Sequence, residues 1–304
     1  MSSTGDLATN RLLRRLKFAS PMVSRSLASG EFRSAFKGRG VEFDGLRDYD
    51  GADDASLIDW NASARFGRPF VKTFRESRDL ALFVVFDASA SMDFGSPRSK
   101  RETAAAACGL LCLAAEEGGN PSGALVFAAA PLRLDPPAHG RSHALALAER
   151  FAALRPEAGE GGSALGDALR AASADLKRRS VVVVASDFLS AGWERPFAEL
   201  ARRHDVIALR VTDGADGALP ALAGACAVRD AESGRVAVID PRSADWTESR
   251  AASGAERRLA WLRAVARARA SRLEIDTGED PALALLRFFD RRSRHQFLDQ
   301  PGFS

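Results

Sequence analysis

Residues 80–86 have the sequence LALFVVF and run directly into DASAS at 87–91. The first seven residues are all apolar, and the length of the run fits one strand. An uninterrupted apolar strand is typical of a parallel sheet covered by helices on both faces, because both sides of the strand are then buried. We therefore predict a buried strand at 80–86 that ends abruptly in a polar loop.

Two further apolar runs repeat this pattern along the chain. Residues 180–187 are SVVVVASD, and residues 205–213 are DVIALRVTD. Residues 123–135, GALVFAAAPLRLD, predict a strand, a short turn and a returning strand. The other segments with helical patterns lie at about 98–117, 141–154 and 193–203, and residues 159–176 predict a glycine loop that runs into a further helix. Strands that alternate with helices in this way predict an open α/β sheet.

The rest of the chain divides into flanking parts. Alternating runs around the turn at 232–234 predict an inserted hairpin near 225–240. A long helix, a last strand and a last helix are predicted at 243–270, 272–277 and 280–290. We predict three regions: an N-terminal extension at 1–78, an α/β domain at 79–290 and a surface tail at 291–304. The extension is expected to contain an amphipathic helix within 7–28 and an irregular part, and to pack on the main domain.

The composition narrows the class of protein. Of 304 residues, 46% are hydrophobic and 27% charged, and the net charge is +3. This balance is that of a globular chain, and the small charge surplus argues against a dedicated nucleic-acid binder. No apolar run approaches the roughly 18 residues of a membrane span, and the first 20 residues lack the apolar core of a signal peptide. Three cysteines in no framework spacing fit a reducing compartment. We expect a cytoplasmic protein without an integral membrane segment.

Oxygen-bearing side chains follow three of the predicted elements. Asp87, Ser89 and Ser91 follow the 80–86 strand, and their alternation lets the three side chains point the same way. Ser163 is the expected N-cap of the next helix, and Asp187 follows the apolar strand at 180–185. Carboxylates and hydroxyls without His or Cys suit a hard divalent cation such as Mg²⁺, at the sheet edge where α/β folds bind ligands. Two alternatives stay open: residues 87–91 only cap a turn, or the geometry is kept without metal.

The order of these residues resembles the metal-ion-dependent adhesion site of von Willebrand factor A domains. That motif is Asp-x-Ser-x-Ser followed by a later Thr and a later Asp, and Ser163 stands where the Thr is expected. The resemblance implies a von Willebrand factor A-like, Rossmann-type, mostly parallel central sheet with helices on both faces. It also implies that the three serines contact Mg²⁺, or another divalent cation such as Mn²⁺ or Ca²⁺. Both aspartates would act directly or through water, and a partner protein would supply a carboxylate to the open position.

The segment before the main domain resembles the signature of the Domain of Unknown Function 58 family. The usual form is R-x-Y-x-x-G-D-D-x-R-x-I-D-W-x-x-S-A-R, joined to a domain with D-x-S-x-S-M. The matching residues are Arg47, Tyr49, Asp53, Asp54, Ile58, Asp59, Trp60, Ser63, Ala64, Arg65 and Met92. Ala52 replaces the usual Gly, and Ser56 replaces the usual Arg. Such proteins are commonly encoded with MoxR-type AAA ATPases, so the resemblance implies that partner and an adaptor or chaperone-like assembly role.

The residue types of this signature favour a structural role. Its aspartates and arginines predict an ion-paired, hydrogen-bonded clasp. Tyr49 and Trp60 are expected to anchor the segment against the sheet domain. The acidic cluster could instead bind metal, which is disfavoured because the side chains of neighbouring aspartates point in different directions.

The sequence favours a binding module over an enzyme. No nucleophile with an adjacent base is evident, and the lysine of a nucleotide-binding P-loop is missing from GEGGSALG at 159–166. The alternative is a metal-dependent phosphoester hydrolase that uses Asp87. Such enzymes need a second carboxylate two residues later, where this chain has Ser89. Nucleic-acid binding by an arginine-rich helix at 250–272 is weaker still, because Trp261 and Val265 give that helix an apolar packing face.

Overall fold

The structure, a computed structural model, describes residues 41–50, 53, 56, 58–76, 80–153, 163–216, 225–229, 236–240 and 243–298. Its strands are β1 (Val41–Asp48), β2 (Phe70–Glu76), β3 (Leu82–Asp87), β4 (Ser122–Phe127), β5 (Pro131–Ala138), β6 (Val181–Ser186), β7 (Asp205–Thr212), β8 (Cys226–Arg229), β9 (Val236–Ile239) and β10 (Ser271–Asp276). Its helices are α1 (Trp60–Phe66), α2 (Lys100–Glu117), α3 (Arg141–Ala153), α4 (Leu165–Asp175), α5 (Glu194–Arg203), α6 (Ala244–Arg267) and α7 (Pro281–Leu298). The helix predicted within 7–28 and the signature residue Asp54 lie outside the described residues.

A six-stranded, mostly parallel sheet forms the centre of the fold. Its strand order is β10-β7-β6-β3-β4-β5. Strand β3 is parallel to both of its neighbours, β4 and β6, and the edge strand β5 is antiparallel to β4. The α/β prediction is confirmed in this mixed, mostly parallel form. Because the chain moves from β3 to β4 on one side and later returns to β6 on the other, the strand order reverses between β3 and β6.

Helices cover the sheet on both faces. Val84 and Phe86 of β3 face α2, α3 and α7, while Phe83 and Val85 face α4, α5 and α6. All six residues of β3 are buried, as the apolar run predicts. Cys108 and Cys112 are buried in α2 as free thiols in the same core.

The last helix is longer than the sequence pattern predicts. The sequence pattern predicts that the last helix ends at 290, whereas helix α7 runs to Leu298. Within the added part, the guanidinium of Arg292 pairs with Asp205 at the start of β7. Within the described helices, none is long and apolar enough to cross a membrane.

The described part of the N-terminal extension is a small ordered unit. β1 and β2 form an antiparallel pair, with a bulge between Phe43 and Gly45, and α1 lies in the connection. Asp59 caps α1 by accepting hydrogen bonds from the backbone N–H groups of Asn61 and Ala62, each at 3.0 Å. The hydroxyl of Ser63 accepts from the backbone N–H of Phe70 at 2.8 Å and ties α1 to β2. Packing of the whole extension on the main domain stays a prediction.

Trp60 does not fill the role that the sequence predicts. Its side chain is 71% exposed, so the expectation that it anchors the extension against the sheet domain is wrong. Trp60 is the first residue of α1, directly after the cap Asp59, and that position turns its ring to solvent. The other expected anchor, Tyr49, is half-buried, and its backbone N–H bonds to the carbonyl of Pro69 at 2.9 Å.

A capping box fixes the start of α2, and we expect Ser99→Ala to lower the free energy of unfolding by about 1 kcal/mol. The Ser99 hydroxyl accepts from the Glu102 backbone N–H, and the Glu102 carboxylate accepts from the Ser99 backbone N–H, both at 3.1 Å. Urea denaturation measures the change. Ser142→Ala, at an exposed position in the first turn of α3, is the matched control and should change stability by less than about 0.5 kcal/mol. Equal losses in both variants would contradict the capping role.

Candidate metal centre

Two aspartates lie where parallel strands end on either side of the reversal in strand order. Asp87 is the last residue of β3, and Asp187 directly follows β6, the neighbouring parallel strand. Open α/β sheets form their ligand crevice at this place, because loops diverge to opposite faces there. Both carboxylates are buried, Asp87 completely and Asp187 with 4% exposed.

Asp87 gathers hydrogen bonds from the three segments that the sequence analysis singled out. Its Oδ1 accepts from the backbone N–H of Ser89 at 2.9 Å. Its Oδ2 accepts from the hydroxyls of Ser163 at 3.2 Å and Ser186 at 2.7 Å. The three loops therefore meet at one carboxylate, as their positions after strands and before a helix predict.

The two serines of the Asp-x-Ser-x-Ser stretch are close to each other. The hydroxyl oxygens of Ser89 and Ser91 are 3.2 Å apart, and both side chains are buried. A short 3₁₀ helix at Ala90–Asp93 turns the chain so that the serines stand on the same side. Two hydroxyl oxygens are thus held together beside the loop of Asp87.

The cap predicted at Ser163 is wrong, although the residue belongs to the site. Helix α4 begins at Leu165 with Ala164 at the N-cap position, and no described side chain caps it. The backbone N–H of Ala164 bonds to the Ala128 carbonyl at 2.7 Å, which fixes the approach to the helix beside β4. The Ser163 hydroxyl is left to donate to Asp87 instead of capping α4.

Burial and charge both disfavour the ionised form of Asp87. Loss of water around the buried carboxylate, with the nearby charge of Asp187, raises the pKa of Asp87 to about 6. Hydrogen bonds from Ser89 and Ser186 act in the opposite direction and only partly offset this. A cation at the site would lower the pKa of Asp87 again, because it would stabilise the charged carboxylate.

Lys100 is a buried cation that the sequence analysis missed. Its Nζ lies 3.6 Å from Asp187 Oδ2 and 2.7 Å from Asp216 Oδ1, and its side chain is 2% exposed. Asp187 Oδ2 is itself buried and has no hydrogen-bond partner in the described part of the chain. The ammonium is thus the positive charge that faces Asp187 across the crevice.

Arg101 holds the loop after β3 and was also missed. Its guanidinium donates to the backbone carbonyls of Ala88 at 2.9 Å and Ser89 at 3.2 Å, and to Asp93 Oδ1 at 2.6 Å. The side chain is fully buried. One available signal was that Lys100 and Arg101 open α2, where the helix dipole disfavours cations unless anionic groups lie nearby.

Comparison with known proteins places the chain in a family. The model of the family "Protein of unknown function DUF58" matches residues 45–259. An uncharacterized protein of Mycobacterium tuberculosis is 32% identical over 298 residues, covering 95% of this chain and 92% of its own length, and one of Mycobacterium bovis gives the same values. The chain belongs to the DUF58 family. Among solved structures, the conserved hypothetical protein BatB from Bacteroides thetaiotaomicron aligns with a TM-score of 0.46 and 18% identity, over 71% of this chain and 99% of that one.

The DUF58 match spans both the N-terminal signature and the crevice. In the signature, Arg47 and Asp53 form an ion pair through two contacts, at 2.5 and 2.6 Å. Asp59 serves as the cap of α1. With Asp53 paired and Asp59 capping, these two carboxylates are engaged in holding the segment together, as the clasp interpretation predicts.

The donor set of the DUF58 crevice fits a hard cation. It combines two carboxylates with the hydroxyls of Ser89, Ser91 and Ser163, and the buried Asp187 Oδ2 accepts no hydrogen bond from the residues that the structure describes. Within the described residues, no group of three or more His, Cys, Asp or Glu side chains could hold a metal. A metal at this crevice would therefore depend on serine hydroxyls for much of its protein coordination.

Proposed function

We propose that this DUF58 protein is a non-enzymatic protein-interaction module that binds a divalent cation, Mg²⁺ first, at a metal-ion-dependent adhesion site in a von Willebrand factor A-like domain. The proposed ligands are Asp87, Ser89, Ser91, Ser163 and Asp187. The observation that carries the proposal is the convergence of three loops on the buried, pKa-raised carboxylate of Asp87. A buried carboxylate without a neutralising ligand destabilises the folded state. Its presence at a ligand crevice therefore favours a functional role, such as binding a cation.

Each residue has a task in this proposal. Ser89 and Ser91 present paired hydroxyl oxygens, and Arg101 keeps their loop in place through its carbonyl bonds. Ser186 orients Asp87, because its hydroxyl donates to that carboxylate while accepting from the backbone N–H of Phe188 at 3.0 Å. A bound cation would supply positive charge that a carboxylate of the partner can share.

The same geometry disfavours the hydrolase alternative. A nucleophilic Asp87 must be open to a phosphoester substrate. Here the side chain has no exposed surface. The residue two positions on, Ser89, cannot act as the acid or base that the reaction needs. Asp87 is thus better suited to holding charge than to attacking a phosphoester.

We propose a MoxR-type AAA ATPase as the partner, an assignment that rests on the family resemblance. Purified ATPase captured by the immobilised protein tests it, with Mg²⁺ or with a chelator. Capture should need Mg²⁺ and should weaken at least about tenfold in Ser163→Ala, because one oxygen donor is removed from the site. Ser163→Thr keeps the hydroxyl and should retain capture.

Ser142→Ala is the matched control, since Ser142 is exposed on α3, away from the crevice. It should capture the ATPase like the wild type. Capture that a chelator leaves unchanged, or that falls equally in both alanine variants, would refute a metal-dependent interface.

A further inference from the structure

A groove opens beside the proposed metal site, between α6 and the carboxyl edge of the sheet. Its volume is about 650 Å³, and its lining includes Asp187 and Asp216. The N-terminal half of α6 forms one wall, where Ala251, Gly254 and Ala255 carry little side chain. At Gly254 even an added Cβ would meet nothing within 4 Å. The groove therefore has room for a chain segment next to Asp187.

Several charges along the groove already have partners. Glu274 lies between two arginines, with Arg258 at 3.0 Å on each carboxylate oxygen and Arg210 at 3.5 Å. Asp187 and Asp216 share the ammonium of Lys100 behind the groove. These acidic groups are therefore matched by cations of the same protein and leave little net negative charge.

Two arginines of α6 add positive charge that no carboxylate of the described residues balances. Arg250 donates to the carbonyl of Ala215 at 3.2 Å and lies 5.4 Å from the ring centre of Trp246, but its buried Nε has no hydrogen-bond acceptor among the described residues. Arg257 is exposed and, within the described ranges, pairs with no carboxylate. Both line the groove, which consequently has a surplus of positive charge.

We propose that this groove binds an extended acidic segment of a protein partner, and the proposal rests on the proposed function in that the same partner supplies the carboxylate at the metal. Arg250 and Arg257 are two helical turns apart on one face of α6, or about 10 Å at 1.5 Å per residue. In an extended polyproline II chain, residues three apart lie on the same side of the chain and about 9 Å from each other. The segment that fits has acidic side chains at every third position.

A short fluorescein-labelled peptide with glutamate at every third position is the probe. Fluorescence anisotropy at low ionic strength, with Mg²⁺ or with a chelator, measures its affinity for the full-length protein. The wild type should bind it, and salt should weaken binding because the contacts are between exposed charges. A peptide with lysine in place of glutamate should not bind.

The variant Arg257→Glu tests whether the peptide binds in the groove, and Arg263→Glu is its control. Both residues are exposed on α6, but Arg263 lies outside the groove. Arg257→Glu should weaken peptide binding about fivefold, and Arg263→Glu less than about twofold. Circular dichroism melting of both variants shows that α6 is intact.

The outcomes separate the groove from the metal. Binding that needs no Mg²⁺ but is lost in Arg257→Glu supports the groove and counts against the metal-dependent function. Mg²⁺-dependent binding that Arg257→Glu and Arg263→Glu weaken equally supports the metal and overturns the groove. A wild type that does not bind the acidic peptide overturns the groove as well.

Discussion

Asp87→Asn should make the metal-free protein more stable at pH 8 while abolishing its stabilisation by Mg²⁺. The buried carboxylate is held charged against its surroundings, and asparagine keeps the shape and a hydrogen-bonding oxygen without the charge. Wild type at a Mg²⁺ concentration of about 100 times its Kd should gain about 2.7 kcal/mol, because a ligand that binds only the folded state stabilises it. The variant lacks the anionic ligand and should gain nothing measurable.

The pH dependence gives the sign of the metal-free effect. The folded-state pKa of Asp87, about 6, lies above the unfolded value of 3.8. Its stability contribution is therefore fully favourable below about pH 4 and is lost as the pH rises through about 6. Relative to the variant, the wild type should lose about 3 kcal/mol of unfolding free energy over this range.

Urea denaturation in chelator at pH 4 to 8 measures the stability of the metal-free proteins. Thermal melting with Mg²⁺ at pH 8 measures their stabilisation by the metal. Asp167→Asn is the control, because that aspartate is exposed on α4. It should match the wild type in Mg²⁺ response. An Asp87→Asn protein that Mg²⁺ stabilises as much as the wild type would remove Asp87 from the site. A variant that is less stable than the wild type at pH 8 would contradict the cost assigned to its charge.

The sheet was predictable because its signal is local. An uninterrupted apolar run, such as 80–86, by itself indicates a strand that is buried on both faces. The structure confirms strands and helices close to the predicted bounds. The convergence at Asp87 was predictable for a related reason: carboxyl ends of parallel strands share one edge, so residues after β3 and β6 must be neighbours. The parallel pairing of β3 with β6 therefore brings residues together that are far apart in the sequence.

What the sequence did not reveal depends on contacts between distant parts of the chain. Lys100 meets Asp187 and Asp216 only because α2 packs across the sheet, and no spacing in the chain records that. Helix α7 continues past 290, and Arg292 in this part pairs with Asp205, a residue distant in the sequence. Trp60 was misjudged for the opposite reason, since an aromatic residue in a polar segment was assumed to be buried, whereas its place at the start of α1 leaves it exposed.

Lys100→Met should destabilise the metal-free protein by about 3–5 kcal/mol and at the same time tighten Mg²⁺ binding. Removing one partner of a buried ion pair leaves the other charge without compensation, which is the source of the loss. Asp187 is the residue most affected, because its Oδ2 lies 3.6 Å from the ammonium and has no hydrogen bond within the described ranges. Methionine fills a similar volume, so packing against Phe94 is largely kept.

The gain in Mg²⁺ affinity follows from the same contact. In the wild type the ammonium of Lys100 neutralises Asp187 and repels any second cation at the crevice. Without it, Asp187 is free to compensate its charge with the metal, and we expect about tenfold tighter Mg²⁺ binding, equivalent to about 1.4 kcal/mol. Saturating Mg²⁺ should consequently recover more stability in the variant than it adds to the wild type.

Isothermal titration with Mg²⁺ and urea denaturation in chelator measure the two effects separately. Lys177→Met is the control, because Lys177 is exposed and its Nζ contacts only the backbone carbonyl of Ala174 in the described structure. It should leave both quantities unchanged. A Lys100→Met protein that is destabilised but binds Mg²⁺ no more tightly than the wild type would make Lys100 a purely structural counter-charge. If the affinity rises as expected, the ammonium of Lys100 competes with Mg²⁺ for Asp187. Cation binding in the wild type then requires enough metal to displace Lys100, or a partner carboxylate that pairs with the lysine instead.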